Sequence, residues 1–172
     1  MQRHDGLQAL SRDHHLALVY AKRLQSYRQA APSWLEQNWM AVRPCLQGFW
    51  ENALAGHFAA EEGHLPWDRI APAWRERLLR EHALIARLWR EVTEAESAPL
   101  ERLVELGTAL YDHVRWEERE LFPAIERATP QAELDLLEAR LAHLPAPDPR
   151  WLPPKAETSG ATEGGHRPLK TP

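Results

Sequence analysis

The stretch GHFAAEEGHLPW occupies residues 56–67, and DHVRWEERELFP occupies residues 112–123. Each sets a histidine four residues before a glutamate, places a second glutamate directly behind, and closes on a proline. The positions are His57, Glu61, Glu62 and Pro66 in the first, and His113, Glu117, Glu118 and Pro123 in the second. On a helix, residues i and i+4 share a face, so each His–Glu pair can reach a single point in space. One such pair alone reads most simply as a surface hydrogen bond worth a few tenths of a kcal/mol. Of nine histidines, however, only these two have glutamate at +4, and both lie in matching surroundings.

The surroundings place both pairs inside. Trp50, Ala53, Leu54, His57, Ala60 and Glu61 fall on one stripe, as do Leu106, Ala109, Leu110, His113 and Glu117, with Leu121 a turn further on. Apolar stripes of this kind face a core. Burying the polar members costs several kcal/mol unless something satisfies them, and a metal ion would satisfy all of them together.

Working outward, SRDHHLAL (residues 11–18) and LREHALIA (residues 79–86) align so that Asp13-His14 matches Glu81-His82 and Arg12 matches Arg80. His14 shares the stripe of Leu7, Leu10, Ala17, Leu18 and Ala21. His82 shares that of Leu78, Leu79, Ile85, Ala86 and Trp89. The chain reads as a doubled unit, acid-His then His-x-x-x-Glu, with 68 residues from His14 to His82 and 56 from His57 to His113. Four imidazoles and two carboxylates exceed what one tetrahedral zinc needs. Two ions, each taking two imidazoles and sharing the two glutamates, fit the count, and imidazole with carboxylate suits iron, zinc or copper. His15, one residue round from His14 on the more polar side, is the rival ligand. His64, one turn past Glu61, either joins the site or caps its helix.

The rest of the chain predicts an all-α fold. Leucine, alanine, arginine and glutamate dominate, glycine is scarce, and prolines divide the chain. Four long helices are expected over about residues 6–30, 33–64, 72–96 and 97–128, with a shorter fifth over 131–144. Ser33 with Glu36 spells a capping box, Pro44 is expected to kink or split the second helix, Pro72 suits a first turn, and Ser97 is placed to cap the fourth. Helices of some 25 residues, about 37 Å long, with short connections make an up-down-up-down bundle over residues 1–144. From Pro145 the text turns rich in proline and glycine, which predicts a disordered or loosely draped tail (145–172) that Trp151 pins at its start. Trp50, Trp89 and Trp116 read as core or site-lining residues, Trp116 as a shield against water. Glu62 and Glu118 fall off the ligand stripes and are expected to face solvent or arginines. His4, His143 and His166 look incidental, and Cys45 buried and inert.

The pattern H…HxxxE…H…HxxxE on four helices, with the phrases HFAAEEGHLP and HVRWEERELFP, resembles the hemerythrin-like (HHE cation-binding) domain family over about residues 7–128. The resemblance implies a non-haem di-iron centre bridged by two glutamates, with His14, His57, Glu61, His82, His113 and Glu117 as ligands. Oxygen-carrying members place a further histidine one turn after the third ligand, where this chain has Ala86, and their last carboxylate is an aspartate one residue further out, where this chain uses Glu117. The freed position is open to water, a substrate or another side chain. Dioxygen, nitric oxide or iron itself is therefore the expected cargo of a binding, sensing or storage protein. The alternative is a redox enzyme that reduces peroxide or repairs iron centres.

Other classes find no support. The net charge of −4 offers no basic stripe for nucleic acid. A single cysteine permits neither an internal disulfide nor a Cys-x-x-Cys site. The start of the sequence has no long apolar run, which predicts a cytoplasmic protein without a membrane span. Phosphate-binding glycine loops and Gly-x-Ser-x-Gly elbows are absent. Glu-x-x-His, the ferritin-like signature, occurs once (Glu61, His64) where that fold needs it twice.

Overall fold

The structure is a computed structural model that describes residues 4–30 and 33–156. The end of the tail and His166 lie outside the described residues. Helix α1 (Asp5–Ser26) buries the expected stripe of Leu7, Leu10, Ala17, Ala21 and Leu24. Its first turn is held by His4, whose Nδ1 accepts from the Gly6 amide at 2.9 Å, so this histidine caps rather than idles. The second rod is α2 (Trp34–Phe49), a π-helical turn (Trp50–Leu54) and α3 (Ala55–His64) in unbroken succession. Helix α4 (Pro72–Glu94) starts with proline in its first turn, where the missing N–H is no loss. The fourth rod is α5 (Leu100–Trp116), a second π-helical turn (Glu117–Leu121) and α6 (Phe122–Ala128). Helix α7 (Gln131–Leu141) then folds back along α1. The rods form the all-α bundle that the pattern predicts.

Three local expectations need correction. Pro44 does not split the second rod; α2 runs through it. Pro44 and Met40 are both exposed, so the carbonyl that proline leaves unbonded lies on the solvent side, where water satisfies it. The irregularity falls instead at Trp50–Leu54. Ser33 has helical backbone angles and makes no side-chain capping bond, so the capping box does not form. The fourth rod begins at Leu100 behind Pro99, which leaves Ser97 outside it.

The core falls into two apolar clusters. One gathers Tyr20, Phe49, Leu46, Leu88, Trp89 and Leu106. The other gathers Leu7, Leu10, Leu78, Leu121, Phe122 and Leu134. Trp89 belongs wholly to packing: it is buried, and its Nε1–H donates to the Leu46 carbonyl at 3.0 Å. Each fully buried leucine or phenylalanine contributes about 1.5–3 kcal/mol. Between the clusters runs one polar layer. His14 stands between Leu10 and Ala17, His57 between Leu54 and Ala60, His82 between Leu78 and Ile85, and His113 between Leu110 and Trp116.

Beyond α7 the chain turns back over the seam of α1 and α2. Residues 149–151 form a 3₁₀ turn capped by Asp148, whose carboxylate accepts from the Arg150 amide at 2.8 Å. Trp151 supplies the pin, lying where a Cβ on Gly48 would overlap its indole. Arg23 donates to the Pro153 carbonyl at 2.6 Å and the Tyr27 hydroxyl to that of Pro154 at 2.8 Å. Cys45 is half-exposed rather than buried; partial burial raises its thiol pKa and favours the unreactive protonated form.

Candidate metal centre

Helical spacing delivers the six polar side chains of the middle layer. His57 and Glu61 lie one turn apart on α3. His113 lies in the last turn of α5, one turn before Glu117, the first residue of the π-helical turn. His14 and His82 enter from α1 and α4. Glu61 and Glu117 are fully buried at 0% exposure, and the four histidines are buried at 2–5%. The structure therefore gathers all six residues named from the sequence. The two rivals lie elsewhere: His15 is exposed, and His64 is exposed at the end of α3, beside Leu136 and Arg140 of α7.

The donors sort into two clusters. His14 and His57 bring their Nε2 atoms to 3.0 Å of each other, and His82 and His113 bring theirs to 3.1 Å. Each glutamate spans the gap between them. Glu61 places Oε1 3.1 Å from His57 Nε2 and Oε2 3.3 Å from His82 Nε2. Glu117 places Oε2 3.1 Å from His14 Nε2 and Oε1 3.3 Å from His113 Nε2. Two groups of four buried donors result, His14–His57–Glu61–Glu117 and Glu61–His82–His113–Glu117, each with its ligand atoms within 4.8 Å of one another.

An outer ring of acids fixes the imidazoles. His14 Nδ1 donates to Glu118 at 2.7 Å, His82 Nδ1 to Glu62 at 2.7 Å, and His113 Nδ1 to Glu81 at 2.8 Å; His57 Nδ1 makes a long contact of 3.4 Å to Asp13. Glu62 and Glu118, expected to face solvent or arginines, thus also reach ligand imidazoles. A carboxylate at Nδ1 holds the proton there and turns the Nε2 lone pair inward. The signal for these four acids was present in the sequence, since each adjoins a ligand: Asp13 and Glu81 precede His14 and His82, and Glu62 and Glu118 follow Glu61 and Glu117. Their reach across to neighbouring rods is a tertiary fact that spacing alone does not supply.

With every Nδ1 occupied, two inward lone pairs 3 Å apart repel unless positive charge lies between them. All four oxygens of Glu61 and Glu117 are buried without a hydrogen-bond partner, a costly state for carboxylates. Two nitrogens bound at right angles to one ion at about 2.1 Å stand about 3 Å apart, which matches both histidine pairs. The donor set therefore fits a pair of cations. Without them protons serve. Burial lowers the His14 and His57 pKa values, but the carboxylates around them prevail, holding His14 well above 6.5 and raising His57 to about 9. His82 is raised in the same way, chiefly by Glu61 against burial. Burial raises Glu61, yet the imidazoles facing it bring it well below the usual carboxylate range.

Aromatic rings wall the layer. Phe58 stacks flat on His82 with centroids 3.7 Å apart, and Phe122 lies parallel to His14 at 5.4 Å. Trp116 is buried beside His113, with Trp74 stacked on it and the Arg77 guanidinium 4.2 Å above its ring, which suits the shielding role expected of it. A narrow chamber, about 10 Å³ in open volume, adjoins His14 and His57, reaches His113 and Glu117 at its inner end, and is walled by Phe49, Leu54, Val114 and Pro147. That is room for about one water-sized ligand. Ala86 is half-buried, offers no donor, and lines a surface groove with Trp50 on the other side of Phe58. Among the described residues, no helix is long and apolar enough to cross a membrane.

A family model described as "Hemerythrin HHE cation binding domain" matches residues 5–125, a span that takes in every donor described above. Comparison with curated proteins and comparison with solved structures each give no match.

Proposed function

The chain belongs to the hemerythrin HHE cation-binding domain family, and from that premise we propose that it is a non-haem di-iron protein that binds a small diatomic molecule, dioxygen or nitric oxide. The observation that carries this reading is the facing of two Nε2 pairs across two carboxylates whose four oxygens have no hydrogen-bond partner. His14 and His57 would hold one ion, His82 and His113 the other, and Glu61 and Glu117 both. When bound, an iron pair supplies an open coordination position and one-electron redox chemistry. Everything else in the site comes from this chain. The Nδ1 contacts to Asp13, Glu62, Glu81 and Glu118 set the direction of each imidazole. Phe58, Phe122 and Trp116 exclude water. Phe49, Leu54 and Val114 make the approach apolar, which favours an uncharged diatomic over water. Ala86, beside His82 on the far side of Phe58 from this chamber, contributes no imidazole.

Elemental analysis of the purified, iron-loaded protein tests the proposal. Two irons per chain are expected, falling to one or none in His57→Ala, and the near-ultraviolet absorption of the loaded protein is expected to shift on exposure to oxygen or nitric oxide. Fewer than about one ion per chain, unchanged by His57→Ala, would leave a bundle with protonated polar groups and no metal function.

A further inference from the structure

The chamber beside His14 and His57 has one wall that no bundle helix provides: Pro147, from the segment that follows α7. That segment, residues 145–156, contains five prolines in PAPDPRWLPPKA. Proline-rich chain loses little entropy on ordering and has few amide donors to satisfy, so it can be laid down and lifted at low cost. Its fastening is mainly packing: Trp151, Leu152 and Ala156 lie against the core and Pro153 is buried. Trp151 sits in the notch left by Gly48, half-buried, with its Nε1–H lacking any hydrogen-bond partner. Arg23 and Tyr27 grip the carbonyls of Pro153 and Pro154. An indole pinned by packing alone, with its polar atom unsatisfied, is an anchor that can be released.

We propose that residues 145–156 are a strap gating the His14–His57 side of the centre, closed when Trp151 fills the Gly48 notch and open when it leaves. Closed, the chamber admits at most one water-sized ligand; open, loss of the Pro147 wall joins it to solvent. The inference rests on reading the polar layer as the ligand-binding centre, and it deepens that reading by naming what regulates access.

The test has a part that needs no metal. In the metal-free protein, the imidazole-modifying reagent diethyl pyrocarbonate is too large for the closed chamber. His57 is expected to be protected in the wild type and labelled at least about tenfold faster in Trp151→Ala, while exposed His15 reacts equally in both. In the iron-loaded protein, the azide association rate is expected to rise by a similar factor with iron content unchanged. Equal His57 labelling in the two proteins, with hydrogen exchange showing residues 146–152 released in Trp151→Ala, would overturn the strap. Should Trp151→Ala fail to fold, Arg23→Ala combined with Tyr27→Phe loosens the same segment from its far end. It is expected to raise His57 labelling about threefold, and no rise would overturn the proposal equally. Absence of iron in the wild type with the labelling difference intact would sink the di-iron reading and leave the gate standing.

Discussion

The first half of the bundle brings Asp13, His14, His57, Glu61 and Glu62 to the polar layer; the second brings Glu81, His82, His113, Glu117 and Glu118. The inner donors agree closely, with Nε2 pairs at 3.0 and 3.1 Å and each glutamate reaching both. Their supports do not agree. Glu81 reaches His113 at 2.8 Å, whereas the shorter Asp13 stops 3.4 Å from His57. The π-helical turn precedes the ligands in the second rod and begins on Glu117 in the fourth. The enclosed chamber and the strap lie beside His14 and His57, while His82, with Phe58 stacked flat on it, borders an open surface groove. Geometry shared by two differently built halves is geometry that the donors themselves require; the differences mark where the halves are free to take separate tasks.

The largest expected effect tests what the halves share. Because Glu61 and Glu117 each serve both donor groups, Glu61→Ala and Glu117→Ala are each expected to abolish binding of both ions at micromolar metal. His57→Ala and His82→Ala are each expected to lose at least one. A Glu61→Ala protein that retains a single tightly held ion, measured by metal titration, would show that the carboxylate belongs to one half only.

The supports come next. Removing an acid that orients a metal-binding histidine typically costs about 10–100-fold in affinity. Glu81→Ala is expected near the upper end and Asp13→Ala near the lower, since the 3.4 Å contact constrains His57 less. Competition against a chelator measures both, and equal losses would erase this asymmetry.

The seam between the halves differs as well. Gly107 of α5 lies against α1, where a Cβ would stand 2.7 Å from the Ala21 carbonyl oxygen. Its counterpart in the repeat, Glu51, is exposed. Gly107→Ala is expected to destabilise by about 1–3 kcal/mol through overpacking, and Glu51→Ala by less than about 0.5 kcal/mol, in urea unfolding.

The smallest effect is in pH. In the metal-free protein the raised histidines stabilise the fold fully below their unfolded pKa of about 6.5, and for His57 this contribution is lost as pH rises through about 9. Glu61, lowered, contributes above its unfolded pKa and ceases to as pH falls through its folded value. The melting temperature of the metal-free protein is therefore expected to fall from pH 7 to pH 10, while the loaded protein, its protons displaced by metal, declines less. Loading at pH 7 is expected to release protons, which calorimetry in buffers of different ionisation enthalpy would register.

Much of this was legible in the residues. Spacing at i and i+4 put His57 with Glu61 and His113 with Glu117, and apolar neighbours put all four inside. The choice of His14 over His15 followed from the stripe. The split allowed at Pro44 does not occur, because helix rules state the cost of a missing N–H without saying which side of the helix carries it; here that side is wet. Glu62 and Glu118 reach further than expected for the opposite reason. Their angular position does point off the ligand stripe, yet long side chains on adjacent rods close the distance to His82 and His14. The π-helical turns have no proline or glycine signature and could not be read at all.

Those turns carry a consequence of their own. An i→i+5 turn holds one residue more than the α-helical path it replaces. Deleting one residue from 118–121 would return the rod to the α-helical path and leave Phe122 and Ile125 near their present headings, whereas the same deletion in a regular helix would swing everything beyond it by about 100°. The surplus residue is slack in the rod, a place where its length can change by one without turning the distal seam away from the core.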